Sequence, residues 1–125
     1  MAIRRGLNVT VRDSLFDPDR SGENVAQIRR STHGKSLYCV FLYLDGPDLP
    51  FVRRVTYRLH ETFDPNTRTM DRTVSNPRCK LDIWTWGVFT VRAVVEDKQG
   101  RTFAMSHHLE YGSHLNEPDI EFKST

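Results

Sequence analysis

Apolar and polar residues alternate with a period of two in several short segments of this chain, and no segment repeats with the spacing of a helix face. Residues 7–12 set Leu7, Val9 and Val11 against polar neighbours, and residues 52–60 set Val55, Tyr57 and Leu59 against Arg54, Thr56 and Arg58. Phe89, Val91, Ala93 and Val95 fall on one face of a fifth candidate strand, and Phe103, Met105, His107 and Leu109 on one face of a sixth. Residues 37–44 and 79–84 complete the set of six. A pleated strand turns every second side chain to the same side, so each alternating segment has an inside and an outside. Turn signals separate them: Asp45-Gly46-Pro47-Asp48, and Asp97-Lys98-Gln99-Gly100, where Gly100 suits the left-handed position of a short hairpin. Short alternating strands with such punctuation predict an all-β sandwich.

Two features qualify this pattern. Residues 37–44 are apolar throughout. With Leu37, Cys39, Phe41 and Tyr43 inward, Tyr38, Val40, Leu42 and Leu44 would form an outer apolar face. A sandwich normally keeps that face polar, so it is either covered by a loop or used for a partner, including self-association. The segments 13–34 and 63–78 read as long polar connections, and loops of that length are often functional.

The chain has 125 residues, the size of one domain, and is read as a single domain over 1–125. A net charge of +2 is too small to argue for nucleic acid, although Arg4, Arg5, Arg29 and Arg30 could form a local patch. No run is apolar enough for a membrane helix, and residues 1–6 are charged with no apolar stretch of a secretory leader. A cytoplasmic setting with Cys39 and Cys79 as free thiols is therefore expected. No nucleophile elbow, phosphate loop or zinc-protease helix is present, so no catalytic residue and no cofactor is assigned. His107 and His108 point to opposite faces of a strand, and with His114 they lack zinc-site spacing; no metal is expected. His33 stands alone.

The candidate chemistry lies in two aromatic runs. Leu59-His60-Glu61-Thr62-Phe63 passes from a core position through polar residues to an aromatic before Asp64-Pro65; by pattern alone, Phe63 could plug the core edge. Trp84-Thr85-Trp86-Gly87-Val88-Phe89 places two tryptophans on one side of an extended strand. Trp84 is the better candidate for the core. Trp86 is the better candidate for an exposed site, because Gly87 leaves room for approach to the backbone beside it. Flat aromatic faces in loops bind well, at low conformational-entropy cost.

These runs, with the Asp97–Gly100 turn and Ser106-His107-His108-Leu109, resemble the YEATS domain family, most closely its prokaryotic branch. The likeness is strongest over 55–109. It implies an immunoglobulin-like antiparallel β-sandwich and a non-catalytic reader of acylated lysine, presented on a peptide or protein or replaced by another flat neutral ligand. Carried over, Phe63 and Trp86 would be the two walls of the channel and His60 would line it. Thr62 would offer its hydroxyl to the acyl carbonyl, and a backbone N–H near Trp86, beside Gly87, would donate a second hydrogen bond. Trp86 holds a position often occupied by Tyr, and Thr85 stands where many members have Gly. The alternative is an interaction or assembly domain of a prokaryotic signalling or defence system, with a vestigial pocket.

Overall fold

Which side of each strand is buried follows from cross-strand pairing in the computed structural model, which describes residues 6–20, 25–30, 34–112 and 121–124. In chain order the strands are β1 (Thr10–Ser14), β2 (Val25–Arg30), β3 (Ser36–Asp45), β4 (Val52–Arg58) and β5 (Thr67–Asp71). They continue as β6 (Leu81–Thr85), β7 (Thr90–Asp97), β8 (Thr102–His108) and β9 (Glu121–Ser124). In the first sheet β1 and β2 pair antiparallel with successive parts of one edge of β3, β6 pairs with its other edge, and β9 runs parallel to β2. The second sheet is antiparallel, in the order β5-β4-β7-β8. The expected all-β, immunoglobulin-like sandwich is what forms. Among the described residues, no helix is long and apolar enough to cross a membrane.

The core lies between the sheets. Val40, Leu42, Leu44 and Ile83 enter it from one side, and Val55, Tyr57, Val91 and Val95 from the other, each essentially without solvent contact. Burying such side chains contributes roughly 1.5–3 kcal/mol apiece, the main favourable term of the fold. Tyr57 also donates its hydroxyl to the Cys79 carbonyl at 2.8 Å, so its polar end is satisfied where water is absent.

The facing of β3 is a correction. The core-facing set is Val40, Leu42 and Leu44, not Phe41 and Tyr43; Cys39, on their side of the strand, is buried but stands outside the core cluster. An unbroken apolar run carries no alternation, so its neighbours decide. Directly paired residues share a face, and Leu44 pairs with Val11, Val40 with Ile83, and Leu42 with Leu81, all inward residues of strands that do alternate. The apolar face expected to be covered by a loop or to meet a partner is therefore core. On the true outer face, Lys80 Nζ lies 5.8 Å from the Phe41 ring and Arg78 Cζ 6.0 Å from the Tyr43 ring. Asp17 and Asp19, from the segment expected to cover β3, hold Lys80 at 2.8 and 3.0 Å. Cys39 and Cys79 are buried free thiols, and burial pushes each up to about 11.

The two long connections also differ from expectation, since each contains a strand: β2, between β3 and β9, in the first, and the edge strand β5 in the second. The turns are as read. Gly100 adopts φ 83° in the β7–β8 hairpin, and a Cβ on Gly46 would collide with the Asn8 carbonyl.

That hairpin is tied by Asp97, which accepts the backbone N–H groups of Gln99 and Arg101 and the Arg101 Nε–H. Burial alone would raise its carboxyl. The Arg101 backbone and side-chain donors and the Gln99 N–H outweigh it and hold the group below the ordinary carboxylate range. A depressed folded value means stability that is fully present above the unfolded value, near pH 4, and lost as pH falls through the folded one. Asp97→Asn is expected to lower the thermal midpoint at neutral pH. The gap to the parent should close on acidification below about pH 4.

Candidate functional site

The residues singled out from the two aromatic runs come together at one end of the sandwich. After β4 the chain enters a loop closed by the Leu59 N–H to Asn66 carbonyl bond of 2.6 Å, and the Phe63 N–H donates to the His60 carbonyl within it. From the opposite sheet, β6 runs into the Trp86–Phe89 link to β7. Between the two loops lies an open cleft of about 580 Å³, and His60, Thr62, Phe63, Trp86 and Gly87 all line it.

The Phe63 ring is half-buried against Phe89, with centroids 5.4 Å apart, and His60 lies 6.1 Å from the same ring. Phe63 thus serves both readings, packing at the core edge while facing the cleft. Trp86 is 62% exposed, and its ring carries the Lys35 ammonium at 3.7 Å. Trp84 is not core. The inward residues of β6 are Leu81, Ile83 and Thr85, whereas Trp84 pairs with outward Cys39, lines the cleft and carries the Arg29 guanidinium at 4.3 Å.

Polar groups in the cleft are already engaged with one another. The Thr62 N–H donates to His60 Nδ1 at 3.2 Å, which makes that nitrogen an acceptor and places the ring proton on Nε2. The Thr62 hydroxyl, 2.9 Å from Nδ1, must then be the donor in that contact as well. To serve an incoming carbonyl it has to rotate away from His60. Thr85, the departure from the family pattern, is buried, and its hydroxyl both donates to the Gly87 carbonyl and accepts the Gly87 N–H, at 3.0 and 3.3 Å. The Gly87 carbonyl also receives the Tyr111 hydroxyl at 3.0 Å. A Cβ built on Gly87 would meet nothing within 4 Å, so the backbone beside Trp86 is open to approach.

Trp84, expected in the core, also lines the cleft, as do Lys35, Leu37, Val88 and Phe89, which were not singled out as site residues. Phe89 was readable only as a strand residue, and Lys35 carried no sequence signal. Of the histidines set aside, His107 places Nε2 2.6 Å from Asp13, and His108 places Nδ1 3.1 Å from the Thr90 hydroxyl. His33, His114, Arg4 and Arg5 lie outside the described residues.

Fold and cleft together define a β-sandwich module with a groove at its loop end. The sequence profile of the prokaryotic YEATS domain matches residues 38–110. The chain belongs to this family. Among solved structures it is similar to the Yaf9 YEATS domain recognising a succinylated histone H3 peptide, with 13% identity and a TM-score of 0.51; the match covers 90% of this chain and 82% of that one. At that identity the likeness bears on the fold. No curated protein matches.

Proposed function

We propose that this chain is a non-catalytic reader of acylated lysine, working in the cytoplasm, with the modified side chain lying between Phe63 and Trp86. The observation that carries the proposal is the meeting of His60, Thr62, Phe63, Trp86 and Gly87 in one open cleft, each loop contributing an aromatic face. Acylation removes the lysine charge and leaves a flat amide that stacks on such faces. Its carbonyl needs a donor on leaving water, since an unpaired one costs about 1–3 kcal/mol. With Gly87 N–H held by Thr85, the Trp86 N–H is the readier backbone donor, and rotation of the Thr62 hydroxyl supplies the second. Unmodified lysine would lose its hydration in the same slot without recovering it.

The likeness to a domain recognising a succinylated peptide supports a peptide ligand. Titration of acetyl- and crotonyl-lysine peptides should shift the NMR signals of His60, Thr62, Phe63 and Trp86. Shifts confined to other residues, or none, would refute the reading.

Lys35 bears directly on it. An ammonium can rest on the exposed side of Trp86 because it stays hydrated there, and such contacts are worth roughly 0.5–1 kcal/mol. A ligand stacking on that ring must displace it. Lys35→Ala is expected to tighten acyl-peptide binding by about two- to fivefold. Calorimetry showing weaker binding would mean that Lys35 helps to hold the peptide.

A further inference from the structure

The outer face of the second sheet is unevenly charged, and this shows when its cross-strand partners are read as rows. One row is Asp71, Arg54, Glu96 and Thr102, where Arg54 Nε lies 3.1 Å from Asp71 and 4.0 Å from Glu96. With two carboxylates to one arginine, that row carries a net charge of −1. The next row, Thr69, Thr56, Val94 and Ala104, is neutral, with the two threonine hydroxyls 3.1 Å apart. The third is Thr67, Arg58, Arg92 and Ser106. Its two arginines are direct cross-strand partners, both exposed, and among the described residues neither has an acidic partner. Like charges placed directly opposite oppose each other. A groove of about 520 Å³ lies over this row, floored by Val94 and Ala104 and flanked by the hydroxyls of Thr67 and Ser106.

We propose that this groove recognises carboxylates in an acidic stretch of the same partner that places its acylated lysine in the cleft. The proposal rests on the reading of the cleft as a peptide site. Of the cleft residues, His60 stands two residues beyond Arg58 on the β4 path and Phe89 three residues before Arg92 on the way into β7, about 7 and 10 Å of extended chain. One extended peptide therefore reaches both features. Two guanidiniums can each accept a carboxylate through paired N–H donors, with the hydroxyls supplying further bonds. A polyanionic nucleic-acid strand fits less well. The positive row is short, Asp71 and Glu96 stand two rows away, the groove floor is apolar, and the net charge of the chain is only +2.

The test compares crotonyl-lysine peptides flanked by glutamates with the same peptides flanked by glutamines, on the parent and on Arg58→Gln/Arg92→Gln. The glutamate peptide should bind the parent about fivefold more tightly at low salt. That preference should vanish in the double variant, whose thermal midpoint should not fall, because a like-charge pair has been relieved. Equal affinities, or a preference surviving in the double variant, would overturn the proposal. So would a single-stranded oligonucleotide binding more tightly than the acidic peptide. A lysine-free glutamate peptide separates the two readings: it should shift Arg58, Arg92 and Ser106 even if the glutamine-flanked crotonyl peptide shifts nothing in the cleft. In that outcome the cleft reading fails and the carboxylate site stands.

Discussion

Trp86→Ala is expected to leave the fold intact and to weaken acyl-peptide binding by roughly thirtyfold or more, the ~2 kcal/mol or more that an aromatic anchor carries. The ring is 62% exposed and makes no part of the buried core, so its removal should change stability by no more than about 0.5 kcal/mol. Binding and folding are thus separable at this position, which makes it the sharper probe of the cleft. Phe63 is less clean. Its ring packs on Phe89 at 5.4 Å, so Phe63→Ala should lower the thermal midpoint as well as the affinity. Paired thermal melts and calorimetric titrations of the two variants check both statements. A Trp86→Ala protein that unfolds would show the ring to be structural. One that binds as tightly as the parent would remove it from the ligand site.

The contrast between Trp84 and Trp86 shows where sequence reasoning holds and where it stops. The spacing placed both rings on one side of an extended segment, and both do line the cleft. It could not say which side, because that depends on Thr85. In β6 the inward positions are 81, 83 and 85, so a threonine takes the core-facing place and both tryptophans fall outside it. The unbroken apolar run of β3 hid its facing for a related reason: the deciding information sits in β1 and β6. Where a strand does alternate, as in β7, the buried set was legible directly. Thr67-Arg68-Thr69-Met70-Asp71 was missed because an edge strand with a single apolar residue looks like loop. The meeting of His60 with Thr62 is local and readable; that of Phe63 with Phe89 depends on β4 and β7 being neighbours.

The largest loss of stability is expected at a residue whose partners are far away in sequence. Asp13 occupies an inward position of β1, in the series Val9, Val11, Asp13 and Leu15, and its side chain is fully buried. It accepts the His107 Nε2–H at 2.6 Å, the Glu110 N–H at 2.9 Å and the Tyr111 N–H at 2.8 Å, so β1 of one sheet is fastened to the end of β8 in the other. Asp13→Ala removes the acceptor of one buried and two part-buried donors, at a cost of about 3 kcal/mol or more. For a domain of this size the thermal midpoint should then fall by roughly 10 °C or more. His107→Ala should cost less, because the two backbone N–H groups keep their carboxylate. The same fastening reaches the cleft: Tyr111, anchored through its N–H, donates its hydroxyl to the Gly87 carbonyl beside Trp86. Tyr111→Phe should therefore lose at most about 1–1.5 kcal/mol of stability while weakening ligand binding, since only the support of the Trp86 loop is removed. If Tyr111→Phe binds like the parent, the Thr85 hydroxyl alone suffices to hold that loop, and the Asp13 linkage serves the sandwich without serving the site.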